Sequence, residues 1–447
     1  MGSRELQALA EDGSTGNAGF LDQRMALRWV RENIDAFHGD RNRVLLLGES
    51  SGAAAVSLHL TTRASHPYFQ RAGMQSGAFV SWGYKKMEVA QSIFGWLARK
   101  TGCHLAGDFV VACLQKMPWS LLQRVVDKAY DMPYPDGWKN SSWTPTLDGV
   151  TLEAPPEELA RRGEVAPVPV LLGTTKNEGV AFVTVCRTCD TFLRQTISEE
   201  RYRRWARHNF ASPWDERFVA RYSVDDFTPF MAASRLVGDL VVRCPAHHAA
   251  SLLTGAARRQ GDGPRAVFMY SFTHEPISRA LHSGGLCTEG TQGAFHGADI
   301  PFFLDVPRML DTHHERALAQ TMVRYLRNFA WSGDPNVPPP SQDGYNESLP
   351  RWPLFSNATR AHMLLGTRPD GHVGPERGRV ECGLINAYIE AGAPVPEEGR
   401  GPLDLDLDLD VAEDDVRPQD AERPGGAARA PAPARGSSRA ASALEFV

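Results

Sequence analysis

Gly48-Glu49-Ser50-Ser51-Gly52 places a serine hydroxyl between two glycines, a pattern suited to nucleophilic attack. Arg43 to Leu47 ahead of it reads as a short buried strand. Ala53 to Leu60 behind it is small, apolar and free of Pro or Gly, so it reads as a helix. A G-x-S-x-G between strand and helix is a nucleophile elbow. The flanking glycines are expected to allow a turn that side chains would block, leaving Ser50 Oγ exposed above the sheet edge. The amides that open the helix then face any negative charge developing beside the serine. The plainer reading of the same five residues is an ordinary strand-to-helix turn.

A serine hydroxyl attacks poorly unless a base takes its proton and a carboxylate orients that base. In this arrangement the chain order is serine, then acid, then histidine, each from the loop after a strand. Val168 to Gly173 is a buried-strand run, and Thr174 to Gly179 follows it as a loop carrying Glu178. Arg265 to Phe272 is the next β-rich run, and beyond it a Gly-rich loop ends in Ala294-Phe295-His296-Gly297. Ser50, Glu178 and His296 are therefore the candidate triad. The competing pairs His247-His248 and His313-His314 fall in helix-like segments without the spacing of a zinc protease helix, and they read as surface histidines. Cys186-x-x-Cys189 lacks a second CxxC to complete a structural zinc site, so it reads as a local or loop-tying bridge. No metal or organic cofactor is called for.

These residues resemble the type-B carboxylesterase and cholinesterase family. Gly16-Asn17-Ala18-Gly19-Phe20-Leu21-Asp22-Gln23 followed by Ala26-Leu27-Arg28-Trp29-Val30 resembles its GNxGxxDQ–ALxWV helix. Asn33 to Asp40 resembles the link to the elbow strand. Gln75-Ser76-Gly77, Pro145-x-x-Asp148-Gly149, Gly173 to Gly179, Gly333-Asp334-Pro335-Asn336 and Trp352-Pro353 follow in family order, so the likeness runs from about Gly16 to about Ala391. It implies an α/β-hydrolase fold, with a mostly parallel central sheet and helices on both faces. It also implies a serine carboxylic-ester hydrolase with Ser50 as nucleophile, His296 as base, Glu178 as orienting acid and Ser51 N–H as an oxyanion donor. Ser76 would stand behind the triad, and Glu49 with Asp299 would form a buried acidic pair beside it.

The resemblance also pairs Cys103 with Cys113 and Cys244 with Cys382, leaving Cys186, Cys189 and Cys287 as extras, with a bridge from Cys287 to one of the other two as a possibility. Family members begin well upstream, with strands that include an HGG-type loop supplying further oxyanion amides. This sequence starts just before the G-N-x-G segment, so it is expected to be N-terminally truncated, its activity weakened accordingly. The alternative reading is a non-catalytic cholinesterase-like binding module or an inactive fragment. Ala181 and Ala298 stand where cholinesterases carry aromatic residues, although Phe182 adjoins the first. An apolar acyl pocket using Trp82 and Phe295 fits better than a choline site, with core packing the plain reading of Trp82.

Composition sets the frame around the site. The chain has 447 residues and a net charge of -5. The acids are concentrated in Glu397 to Asp415, which leaves the preceding body near neutral and gives no footprint for nucleic acid. Residues 1–396 read as the hydrolase domain, and 397–447 as a disordered tail of Leu-Asp repeats followed by Ala, Pro, Gly and Arg. No run is apolar and long enough to span a membrane. Sequons at Asn140, Asn346 and Asn357, with the implied disulfides, point to the secretory route, although no signal peptide is recognised in this sequence. The partner expected is a small-molecule ester; the oligomeric state is left open.

Overall fold

The computed structural model describes residues 2–127, 143–184, 193, 196–259, 266–277, 293–340, 349–366, 373–374 and 379–392. Its strands are β1 (Leu45–Glu49), β2 (Arg71–Gln75), β3 (Lys85–Lys86), β4 (Thr146–Leu147), β5 (Val170–Thr175), β6 (Val267–Phe272), β7 (His362–Leu365) and β8 (Val373–Gly374). Six of them form one sheet in the order β1-β2-β5-β6-β7-β8, and β3 pairs with β4. From β1 to β7 every neighbouring pair is parallel, and only β8 joins antiparallel.

Parallel strands are covered on both faces, and side chains alternate between those faces. Val170, Leu172, Val267 and Met269 enter one core with Ala53, Val56 and Leu60 of the helix Ser51–Thr61 and Ala246, Ala249 and Leu253 of the helix Cys244–Arg259. The intervening Leu171, Phe268 and Tyr270 enter the other, against Leu318, Met322, Tyr325 and Phe329 of the helix His313–Ser332. The layering is helix, sheet, helix, as the α/β-hydrolase reading expects. β1 ends the sheet and is half-buried along its whole length.

Several motifs turn out to be scaffold. Asn17 exchanges two hydrogen bonds with the backbone of Thr146, each 2.8 Å, and its amide also donates to Asp148 Oδ2 at 3.2 Å. Asp148 Oδ1 in turn accepts the amides of Val150, Thr151 and Leu152. The segments around Gly16-Asn17 and Asp148-Gly149 therefore recognise each other. Asn336 does the same for Trp352, accepting its N–H at 2.7 Å and donating to its carbonyl at 3.0 Å.

Both expected disulfides are formed, Cys103–Cys113 and Cys244–Cys382. No helix among the described residues is long and apolar enough to cross a membrane. The tail 397–447, Cys186, Cys189, Cys287 and the sequons at Asn140 and Asn346 lie outside the described residues.

Candidate active site

β1 ends at Glu49 and the next helix begins at Ser51, so the whole turn is made at Ser50. Ser50 has φ 53° and ψ -117°, a region that costs a non-glycine residue of order 1–3 kcal/mol. Its surroundings hold it there. The Ser50 N–H donates to the Gln75 carbonyl at 2.9 Å, and the Ser50 carbonyl accepts from Ala54 N–H at 3.0 Å. A Cβ on Gly48 would lie 2.3 Å from the carbonyl carbon and oxygen of Gly52, and one on Gly77 would lie 2.2 Å from the Ser50 carbonyl oxygen. Gly52 itself has open space around it. The expectation that both flanking glycines are required is thus corrected: the tight approach needs Gly48 and Gly77, and the unusual backbone conformation belongs to the serine.

Glu178 follows β5, and His296 lies beyond β6, just after residues outside the described set. The expected loop after Gly173 is shorter than read from sequence, because β5 continues through Thr175 and a helix starts at Gly179. Asn177 binds the two loops together. Its N–H donates to the Ala294 carbonyl at 2.8 Å, and its Oδ1 accepts from Ala294 N–H at 3.1 Å. Across this link Glu178 Oε2 lies 2.6 Å from His296 Nδ1. Glu178 Oε1 accepts from Ser76 Oγ and from Thr175 N–H, both at 2.6 Å. Glu178, Ser76 and His296 are all buried. His296 Nε2 has no hydrogen-bond partner among the described residues; its nearest acidic neighbour is Glu49 Oε1, at 3.4 Å. The Phe182 ring covers the imidazole, with centroids 4.8 Å apart.

Burial opposes an imidazolium at His296, but the charge of Glu178 and its hydrogen bond, with Glu49 and Asp299 behind them, outweigh it and push the pKa up to about 9. Glu49 is raised to about 7 by burial, with His296 opposing and Asp299 and Glu178 adding to the rise. Asp299 is raised to about 6 by burial, against the hydrogen bond it accepts from Tyr270. Tyr270 Oη reaches Asp299 Oδ2 at 2.5 Å, and Gln75 Nε2 donates to the same oxygen at 3.3 Å. Glu49 is half-buried and Asp299 is buried, and the negative charge of each favours the protonated imidazole of His296.

Thr175, Asn177, Tyr270 and Gln75 were not singled out from sequence. Asn177 and Gln75 lie inside motifs already noted, whereas Tyr270 gives no signal beyond strand alternation. Ser51 opens its helix and is exposed. Ala181 and Ala298 are buried, and so is Phe295, which packs in the core with Phe302 and Tyr270 instead of lining an opening. Trp82 is half-buried, its indole N–H donating to the Val241 carbonyl at 2.9 Å. His313 and His314 are exposed, but His247 is buried beside His362, ring centroids 6.1 Å apart, so the surface reading fails for it. Among the described residues no group of three or more His, Cys, Asp or Glu side chains could hold a metal ion.

The chain belongs to the carboxylesterase family, whose model matches residues 7–382. It is 29% identical over 399 residues to the acetylcholinesterase of Electrophorus electricus, covering 80% of this chain and 61% of that protein. Against the acetylcholinesterase of Danio rerio it is 28% identical over 409 residues, covering 81% and 61%. Against the cholinesterase of Mus musculus it is 28% identical over 369 residues, covering 79% and 57%. The chain thus spans about three-fifths of the relatives it matches.

Proposed function

We propose that this protein is a serine carboxylic-ester hydrolase working through an acyl-enzyme on Ser50. The observations that carry the reading are the buried Glu178–His296 contact of 2.6 Å and, in the turn after β1, a serine held at φ 53°. Ser50 Oγ attacks the ester carbonyl carbon while its proton passes to His296 Nε2. Glu178 holds the ring by Nδ1 and stabilises the imidazolium. Negative charge on the carbonyl oxygen faces the N–H of Ser51. Collapse of the tetrahedral adduct breaks the ester C–O bond, and the alcohol leaves with the proton from Nε2. Water, deprotonated by the same nitrogen, then attacks the acyl-serine; the bond from Ser50 Oγ to the acyl carbon breaks, Nε2 returns the proton to Oγ, and the acid is released. Ser76 and Thr175 N–H keep the Glu178 carboxylate in place.

Ala181 and Ala298 offer no aromatic face to a quaternary ammonium, which favours esters other than choline esters. The two disulfides and an exposed Asn357 in a sequon favour passage through the secretory route. A non-catalytic binding module is the second reading, favoured by His296 Nε2, which faces Glu49 and makes no hydrogen bond to Ser50.

The test is covalent labelling with a fluorophosphonate probe, mapped by peptide, on the wild type and on Ser50→Ala. Labelling at Ser50 that vanishes in the variant is the expected outcome. A folded chain that takes no label at Ser50 assigns it to the binding module.

A further inference from the structure

The most exposed large apolar side chains of the described surface stand on one hairpin. Leu105 is 84% exposed, Trp119 75% and Phe109 74%. The hairpin runs through the turns of Cys103–Phe109, the helix Val110–Lys116 and the helix Trp119–Asp127. It has an apolar core of its own: Cys103, Val110, Val111 and Leu114 are buried in one cluster with Ile93, Phe94 and Trp96, and Leu122 and Val125 pack on it. Leu105, Phe109 and Trp119 are thus left outside a core that is already filled. The Cys103–Cys113 bridge, with Cα atoms 5.6 Å apart, fixes the turn that carries two of them.

The charges near them in the chain are mainly cationic. Arg99, Lys100, Lys116 and Arg124 are exposed, and Asp108 is the only acid between Arg99 and Val126. Single exposed apolar residues need no explanation. An indole, a phenyl ring and a leucine exposed within 15 residues of chain that also carry Lys116, with Arg99, Lys100 and Arg124 flanking them, match the composition of surfaces that lie in a lipid headgroup layer.

We propose that this hairpin docks peripherally on an anionic lipid surface. Leu105, Phe109 and Trp119 enter the headgroup region, and Arg99, Lys100, Lys116 and Arg124 meet the anionic headgroups. The cystine holds the turn in shape, so little ordering is required on contact. The reading is independent of the chemistry at Ser50.

The experiment is co-sedimentation of the full chain with vesicles of phosphatidylcholine, alone or mixed with phosphatidylserine. Two variants accompany it, Leu105→Ser/Phe109→Ser/Trp119→Ser and Lys116→Glu/Arg124→Glu. Both alter only exposed side chains, and urea unfolding checks that the fold is kept. The wild type should bind phosphatidylserine vesicles about tenfold or more tightly than pure phosphatidylcholine, with added salt weakening the preference. The triple variant should lose at least about tenfold in vesicle binding, and the charge variant should lose the preference for phosphatidylserine. No binding by the wild type, or equal binding by the triple variant, overturns the proposal. So does a wild type that ignores vesicles but self-associates through these side chains, which would assign the surface to a second copy.

Discussion

Glu178 accepts three hydrogen bonds, from Ser76, Thr175 and His296, so its carboxylate is fixed before any substrate arrives. In Glu178→Gln the new NH2 must face either the two donors at Oε1 or the ring N–H of His296, and one contact becomes repulsive. Fluorophosphonate labelling at Ser50 should fall on the order of 10²–10⁴-fold while the fold survives, as expected when an orienting carboxylate in a serine triad becomes an amide. Labelling at the wild-type rate would remove Glu178 from the mechanism. A second prediction comes from titration. His296 binds its proton more tightly in the folded chain, so the stability this contributes is complete below its usual pKa of 6.5 and is lost as pH rises through about 9. Glu49 has the same sign: its contribution is complete below 4.5 and is lost as pH rises through about 7. Stability should therefore decline first from weakly acidic to neutral pH, with Glu49, and further, with His296, from neutral to alkaline pH. Labelling should rise over the latter range, because only neutral His296 can take the serine proton. Glu49→Gln removes a neighbouring negative charge and should shift that rise to lower pH; an unmoved pH–rate profile would show that Glu49 does not act on His296.

At the scale of elements, the glycines divide by what lies beside them. Gly48→Ala sets a methyl group 2.3 Å from the Gly52 carbonyl, so the elbow must open and labelling should fall by more than about tenfold. Gly52→Ala meets nothing within 4 Å and sits in the first turn of a helix, where alanine is favoured by up to about 1 kcal/mol. Urea unfolding should show this variant at least as stable as the wild type, with labelling retained, and a loss of labelling would count against the elbow geometry given above. Sequence could not separate these two positions, since the motif treats its glycines alike and the close contact is made only when the helix folds back on the strand. What it did carry was the strand runs around Val170 to Leu172 and Val267 to Tyr270, and the order in which Ser50, Glu178 and His296 follow their strands. Strand ends were less legible. Thr174 and Thr175 read as loop, yet they pair with Ser271 and Phe272 and so extend β5 toward Glu178. His247 read as exposed because its burial depends on His362 in β7, a neighbour distant in sequence. The Asn177–Ala294 link was invisible for the same reason.

At the scale of the whole molecule, the two cystines constrain the chain very differently. Cys103–Cys113 closes a separation of 10 residues within one hairpin, whereas Cys244–Cys382 closes a separation of 138. The long bridge joins the helix Cys244–Arg259, which covers one face of the sheet, to the helix Arg379–Glu390, and the segment it encloses contains β6, His296, the helix His313–Ser332 and β7. A cross-link stabilises chiefly by limiting the unfolded chain, and the effect grows with loop length, within a range of about 2–5 kcal/mol for native bridges. Cys244→Ser/Cys382→Ser should therefore lower the urea midpoint more than Cys103→Ser/Cys113→Ser. The expected gap between them is about 2.3 kcal/mol, the difference that loop closure assigns to these two spans. The larger loss should also slow labelling at Ser50 near the midpoint, since His296 lies inside the long loop. Equal midpoints for the two variants would mean that residual structure in the unfolded chain already brings Cys244 near Cys382, so that the bridge limits little that is not limited without it.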